Sequence, residues 1–534
     1  MRDLLLSIGA AHWVLPAMML WPIVAALPVR LIGRDVSRDA SGSEVPSGGP
    51  DARLLTAAAL IVEAVLGVVL WAIYDPDGSG WQARVDIPWI TDIGAAFSVG
   101  VDGLALPMVV LTALLMPLAL IASWNNVRVR TPAFGALALM LTSGLVGIFI
   151  SLDLLLFYLS WELMLIPMYF LIGVWGTGAS ARASLRYVLF TLVGSLLMLV
   201  AIMALWNLGG GQSFHLDQLL AIKLDHRAQL LMFIAFFIAF AVKSALVPFH
   251  TWLPDAQGAA PTFAAVALGL KVGTYAILRF AIPLFPAAAT DPTVRSTILV
   301  LSVIAIVYGA IVAMAQRDVK RMISYSSISH LGFIMLGAFA LTQQSVQGSV
   351  MVMVNHAITT SALFLLAGML QDRFGSADMV NFGNLAGPMP FFGALFALSI
   401  FSTIGLPGTN GFVGEFLVLI GSYAEHPVLV LVATTGVIFA AVYGLRALQQ
   451  VVFASAERTG SSVHGVASET PWSLSAVDLS LRERVVMGTF AFAMLYIGFG
   501  PQFILRRSSA ATRTAVEAVR FGPNASSANF SVTH

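Results

Sequence analysis

Runs of apolar residues, each about as long as a bilayer-spanning helix, alternate with short polar breaks along nearly the whole chain. A helix needs about 20 mostly apolar residues to cross the hydrocarbon core. Stretches of that kind have cores at 11–31, 54–74, 104–123, 132–151, 153–174, 185–207, 229–250, 261–285, 296–316, 323–341, 347–370, 389–420, 428–452 and 485–505. The pattern predicts an all-α, polytopic membrane protein with about fourteen transmembrane helices. Two regions are interrupted. Pro248 and Pro254 break the region that spans the seventh and eighth stretches. Gly405, Pro407, Gly408 and Gly411 divide the twelfth, which is too long for one straight helix. Broken helices are tolerated at membrane depth only where protein or a water-filled cavity satisfies the freed backbone groups. One break in each half of the chain points to a transporter built from inverted repeats. A packing kink is the plainer account of either break taken singly.

Composition narrows the class. Of the 534 residues, 58% are hydrophobic and only 10% are charged, against about 25% charged in a soluble domain. Mean hydropathy is +0.88. A net charge of +1 leaves no basic face for nucleic acid. The absence of cysteine excludes thiolate-bound iron–sulfur clusters, cysteine zinc sites and disulfides, so electron transfer would have to run in other chains. The N-terminus is apolar from Leu4 and shows no basic segment followed by a small-residue cleavage site. It reads as part of a retained first helix.

Lysine and arginine set the orientation. Arg30, Arg34, Arg38 and Arg53 follow the first helix, Arg128 and Arg130 the third, Arg182 and Arg186 the fifth. Arg317, Lys320 and Arg321 follow the ninth, Arg373 the eleventh, and Arg458, Arg482 and Arg484 the thirteenth. The alternate loops hold only Arg84, Lys223, Arg227 and Arg295. The arginine-rich loops are therefore expected in the cytoplasm and both termini outside. Arg506, Arg507, Arg513 and Arg520 in the tail run against this. The polar tail from Ser508 to His534 is expected to be unstructured or to lie on a partner. Gly209–Gly211 reads as a turn. Asn524-Ala-Ser and Asn529-Phe-Ser fit a glycosylation pattern, a short match of the kind chance supplies.

Ionisable residues inside the apolar stretches are few: Glu162, Lys243, Lys271, His330, His356 and Glu415, with His250, Arg279 and Glu63 as accessory candidates. Placing one near the membrane centre costs roughly 2.5–3.5 kcal/mol on insertion scales. Singly, each has a bland reading. A histidine can be a hydrogen-bonded packing residue, a Glu–Lys pair can simply neutralise itself, Arg279 is expected to snorkel to the nearer interface, and Glu63 to sit at a helix contact. As a set they supply carboxylate, amine and imidazole on several helices, two of them broken, which are the groups a proton relay needs. Burial and a neighbouring charge shift such groups in opposite senses, so moving Glu162 relative to Lys243 would load or unload a proton. A contact between the two, direct or through one water, is expected in at least one state.

These residues stand in contexts that resemble a known family. "GVDGLALP", "DLLLFYLSWELMLIPMYFLIGVWG", "FAVKSALVPFHTWLPDA", "DVKRMISYSSISHLGF", "GLPGTNGFVGEFL" and "DLSLRE" together resemble the antiporter-like membrane subunits of proton-pumping NADH–quinone oxidoreductase (respiratory complex I), most closely the M type, chain 4 in mitochondria. The resemblance runs from about Phe97 to Leu505. It implies two inverted five-helix repeats and broken helices 7 and 12, with breaks at Pro248 and Pro407. The chain would then divide into N-terminal helices (1–130), a first half-channel repeat (131–285), a second repeat (286–452), and a polar loop with the last helix and tail (453–534). By the same resemblance Glu162 is the helix-5 glutamate that modulates Lys243, the helix-7 lysine. Lys271 is the linking lysine of helix 8, His330 and His356 are relay residues of the second half, and Glu415 is the helix-12 residue, where related chains usually carry lysine. The resemblance also implies no cofactor in this chain. NADH, FMN, iron–sulfur clusters and quinone belong to partner subunits, which include neighbouring antiporter-like chains, in a bacterial inner membrane. A cation/proton antiporter subunit, a membrane subunit of a related hydrogenase or carbon-dioxide-uptake complex, and a plain scaffold are the other readings. Two departures stand out. Gln257-Gly258-Ala259-Ala260-Pro261 lacks the family's glutamate before "APT", and the Pro261-to-Lys271 stretch is shorter by about three residues, close to one helical turn, which bears on where Lys271 points.

Overall fold

The computed structural model describes residues 2–35, 37–38, 44–45, 50–78, 80–125, 127–454 and 477–521. Arg458, Asn524 and Asn529 lie outside them. Among the described residues, twelve helices are long and apolar enough to cross a membrane, and a thirteenth is formed if Leu481–Phe499 and Gln502–Val519 are taken as one bent span. The predicted 389–420 stretch is two helices of 14 residues, Pro390–Thr403 and Asn410–Tyr423. Every predicted stretch thus meets a helix or a broken pair.

Side-chain caps set several helix starts. Asp153 accepts from the N–H groups of Leu155 and Leu156 and opens Leu154–Trp175. Asp318 caps Val319–Ala340. Thr342 with Ser345, and Ser480 with Glu483, form capping boxes at Gln343–Phe374 and Leu481–Phe499. Each cap satisfies donors that a helix start leaves without a partner. Burial separates the helices into two kinds. Gln343–Phe374, Val319–Ala340 and Thr262–Leu284 are almost wholly enclosed, whereas Ser180–Leu208 and Pro427–Phe453 turn most of their apolar surface outward, toward lipid or partner chains.

Three features depart from the sequence reading. No element is predicted in the loop after the second spanning helix. It holds an antiparallel hairpin, Gln82–Ile90 paired with Ala95–Val101, within an otherwise helical chain. The span Thr262–Leu284 is itself broken: it unwinds at Gly269–Lys271 and passes through a wide π-type turn at Ile277–Ala281. Finally, the tail is helical from Gln502 to Phe521 and bends by 65° from the helix before it. Its buried positions are Ile504, Ser508, Thr512, Val516 and Val519. They recur at helical spacing, but small hydroxyl residues fill two of them, so the apolar stripe is invisible to a hydropathy count.

The tail lies on the hairpin side of the molecule, where Arg506 pairs with Asp77 at 2.7 Å and the Arg507 guanidinium stacks on Trp71. Arg2 pairs with Asp75 on the same side at 3.2 Å. Both described ends therefore share one face, as an even number of crossings requires.

Candidate functional site

Lys243 is the last residue of the helix His226–Lys243. The chain then leaves the helix through Ala245, whose φ of 49° is rare for a residue with a side chain, and resumes at Trp252–Ala259. The break is held from within: the Trp252 indole N–H donates to the carbonyl of Val242 at 2.9 Å. The Lys243 Nζ donates to the Tyr187 hydroxyl at 2.9 Å and lies over the rings of Tyr187 and Trp161. Glu162 is close enough to act electrostatically on Lys243, Tyr187 and Tyr158, yet its Oε1 is buried without a hydrogen-bond partner. In this structure the direct hydrogen bond of Lys243 goes to Tyr187, with Glu162 near enough to act on both groups. A phenol between two helices is not legible as a partner in the sequence, because tyrosine is common at helix contacts. His250, in the break, sits against Tyr308, with Nε2 at 3.2 Å from its hydroxyl.

Lys271 faces the interior and is 5% exposed. The unwinding at Gly269–Lys271 precedes it, and the next turn packs hard on the first break. A Cβ at Gly273 would fall 2.2 Å from Ser244 Oγ and 2.6 Å from the Phe240 carbonyl, so only glycine permits this approach beside Lys243. On its other side, Lys271 lies within electrostatic reach of His356.

The second half assembles around the other break. His330 Nδ1 lies 2.8 Å from Glu415 Oε1. The His330 and His356 rings meet edge to face at 4.9 Å, and Thr360 Oγ1 is 2.8 Å from His356 Nδ1. These groups border a cavity of about 20 Å³, room for about one water. Gly405 makes the break possible: its φ of 71° suits glycine, and a Cβ there would lie 3.2 Å from Glu415 Oε2. Asn355 and Asn410, each bonded to the other's carbonyl, and Ser402 on the Asn410 side chain hold the interrupted backbone. The structure therefore gathers His356, His330 and Glu415 at the second break, with Lys271 within electrostatic reach of His356, and places Lys243 and Glu162 together at the first break.

Two accessory candidates lie elsewhere. Arg279 is not a free snorkelling group. It forms an ion pair with Asp102, donates from Nε to the Tyr275 hydroxyl at 3.1 Å and stacks on Trp81 at 4.6 Å. Asp102 stands in "GVDGLALP" and is inconspicuous in the sequence, where it reads as the cap that it also forms, through Leu104 and Ala105. Glu63 is fully buried, and neither of its oxygens has a hydrogen-bond partner among the described residues. Its helix, Ala52–Ile73, packs on Ala10–Ile32, Ala105–Ala122 and Thr131–Ile150.

The family description "NADH:quinone oxidoreductase/Mrp antiporter, TM" matches residues 151–440, more than half of the chain. The chain belongs to this family. It is 38% identical over 443 residues to the NADH-quinone oxidoreductase subunit M of Escherichia coli (strain K12), covering 81% of this chain and 84% of that one. To the subunit M of Rhodobacter capsulatus it is 35% identical over 499 residues, covering 90% and 92%. A chain of the respiratory complex I from Thermus thermophilus with bound NADH superposes with a TM-score of 0.80 at 31% identity, covering 94% of this chain and 99% of that one. Within the family, this chain is an M-type antiporter-like member by likeness over most of its length.

Proposed function

We propose that this chain is the M-type, proton-translocating membrane subunit of an NADH–quinone oxidoreductase. It would carry protons through the buried ionisable groups while redox chemistry runs in partner subunits. The reading rests above all on one observation: His330, His356 and Glu415 are gathered at the second helix break, and Lys271 stands between them and the Lys243 break. NADH, FMN, iron–sulfur clusters and quinone would reside in partner chains. Other membrane-arm subunits, among them neighbouring antiporter-like chains, would cover part of the outward apolar surface. The bacterial relatives favour an inner membrane, with the arginine-rich loops in the cytoplasm. Residues 131–285 and 286–452 would be the two inverted repeats, the first holding the break after Lys243 and the unwinding before Lys271, the second the break beside Glu415.

The chemistry needs only proton transfers. Lys243 holds a proton donated toward Tyr187. A shift of Glu162 changes the field at Lys243 and favours its release or retention. Lys271 passes charge toward His356, and the cavity by His356 and His330 has room for the one water that would join the rings. Glu415, hydrogen-bonded to His330, takes the proton on its Oε1. Aromatic rings around Lys243 exclude other acceptors, and the breaks supply polar groups where an intact helix would offer none.

Glu415→Gln is the deciding variant. It keeps size and hydrogen bonding but cannot take a proton. Proton pumping by the purified complex in vesicles is expected to fall strongly while the complex still assembles. Normal pumping by an assembled Glu415→Gln complex would remove Glu415 from the path. Turnover that depends on sodium in the unaltered protein would favour a cation/proton antiporter instead.

A further inference from the structure

Lys320 is a buried lysine that the relay above does not use. It is 3% exposed at the first turn of Val319–Ala340, the helix that carries His330. Its Nζ donates to Gln371 Oε1 at 2.5 Å, and Asp318 and Asp372 are its charged neighbours. Gln371 in turn donates to Thr177 Oγ1 at 3.4 Å. Thr177 borders an open cavity of about 360 Å³ that is also lined by Arg182, Arg186, Asp255, Asp318 and Arg321. All of these belong to the arginine-rich face.

Inward from Lys320 the same helix carries serines, of which Ser324 donates to the Lys320 carbonyl at 2.8 Å and Ser327 to the Ile323 carbonyl at 2.9 Å. Ser329 donates to the Ile306 carbonyl at 2.8 Å, and Ser326 faces Tyr443, so these two point to the neighbouring helices Pro292–Ala315 and Pro427–Leu448. With 3.6 residues per turn, Lys320, Ser324 and Ser327 share the remaining face, toward Trp252–Ala259 and Gln343–Phe374. Ser324 and Ser327 are buried. On the facing segment, Gln257 is 1% exposed and its Oε1 has no hydrogen-bond partner among the described residues. The next residue, Gly258, packs against Arg321, where a Cβ would lie 3.7 Å from the side chain. That contact sets Gln257 at the level of the first turn. Lys320 to His330 spans about 15 Å along the axis, in steps of about 4.5–6 Å, lengths that one side chain or one water bridges. A buried amide oxygen left without a partner is destabilising unless water meets it.

We propose that Lys320, Gln257, Ser324 and Ser327 form a cytoplasmic proton inlet that feeds His330 directly, and that each turnover needs this inlet together with the Lys243 route. The inference rests on the relay reading above. Lys320 gives one ammonium proton to the inlet and regains one from water in the cavity, and only N–H and O–H bonds change. Gln371 positions the amine, and Asp318 and Asp372 hold the balance of charge around it. The plainer alternative is that Lys320 only ties two helix ends together.

The test uses inverted membrane vesicles that contain the whole complex with its cytoplasmic side outward. NADH-driven internal acidification and NADH oxidation are followed as the outer pH is varied, for Lys320→Met, Lys320→Arg, Gln257→Leu and Glu415→Gln. Lys320→Met and Lys320→Arg are both expected to slow acidification at least about tenfold, a modest loss for a positioned proton-transfer group. Their remaining rate is expected to decline more steeply than that of the unaltered complex as the outer pH rises, because proton supply becomes limiting. A purely structural lysine would be replaced by Arg with rate and pH profile intact, and that result overturns the inlet. If Lys320→Met does not assemble, Gln257→Leu decides: a slowed, pH-steepened rate supports the inlet, and an unchanged rate and profile overturns it. Undiminished pumping by Glu415→Gln overturns the relay reading itself. Loss of pumping there, with normal Lys320→Arg, overturns the inlet alone.

Discussion

At the scale of single residues, Lys243 and Tyr187 separate a working proton carrier from a structural charge. The Lys243 amine is held by one hydrogen bond to the Tyr187 hydroxyl and by two aromatic faces. A hydrogen bond to a charged group contributes about 1.5–3 kcal/mol, so Tyr187→Phe leaves the ammonium short of a partner and is expected to slow pumping severalfold without loss of assembly. Lys243→Arg keeps the charge and offers more donors, but guanidinium does not deprotonate in proteins. If Lys243 releases its proton, this variant pumps little while its complex is recovered in normal amount. Acidification by vesicles, set against the quantity of assembled complex, measures both. Near-normal pumping by Lys243→Arg would mean that only its charge matters. Lys243 is legible in the sequence because an amine in an apolar stretch is costly. Tyr187 is not, since nothing about a tyrosine on a helix shows that a lysine lies opposite.

At the scale of elements, the breaks matter more than the helices. Gly405 has a left-handed backbone and faces Glu415 across 3.2 Å of would-be Cβ space. Gly405→Ala meets both constraints, and the backbone alone costs about 1–2 kcal/mol. The expected result is a lower unfolding temperature of the purified complex together with weaker pumping. Gly387→Ala is the control: nothing lies within 4 Å of its added Cβ, and its φ is not in the left-handed range. Equal loss in the two variants would show that Gly405 has no special role. The glycines and Pro407 make this break legible from the sequence. The break before Lys271 is not legible, because Gly269 is a single glycine in an apolar run. Its unwinding follows from packing, where Gly273 closes on Ser244.

At the scale of the whole molecule, the hairpin ties distant segments together on one face. Asp86 lies by Ser98 and His215, and Arg84 bridges Asp86 and Asp217 at 2.7 and 2.8 Å. Asp153 accepts from Ala96 N–H and also caps the helix that carries Glu162. Burial pushes the Asp86 carboxyl up, but hydrogen bonds from Ser98, Arg84 and His215 outweigh it and hold the group below the usual carboxylate range. A carboxylate whose pKa is lowered on folding contributes stability above its unfolded value, near 3.9, and loses it as pH falls through the lower folded value. Asp86 is 42% exposed, so solvent screening keeps the contribution under about 1 kcal/mol. Hydrogen exchange over residues 82–101, corrected for intrinsic rates, is therefore expected to hold steady near neutrality and to speed up below about pH 4. Asp86→Asn should show the faster exchange already at neutral pH. Identical exchange in variant and parent would mean that the cluster does not hold the hairpin.

Hydropathy by itself determined the membrane class, the approximate positions of the spans and two of the three breaks, because burial in lipid demands long apolar runs and makes each exception costly. The exceptions marked Glu162, Lys243, Lys271, His330, His356 and Glu415 as residues to explain. Which of them meet was decided only by tertiary structure. Helices far apart in the chain can carry neighbouring side chains, and no local pattern encodes that separation: His330 and Glu415 touch, whereas the direct hydrogen bond of Lys243 goes to Tyr187, with Glu162 near enough to act on both groups. Polar residues near span ends were the other blind spot. Lys320 and Asp102 look like loop charges when read along the chain, and only packing shows the first enclosed beside Gln371 and the second joined to Arg279. The amphipathic tail belongs with them, since serine and threonine at its buried positions gain their burial from the surface they meet and not from their own hydropathy.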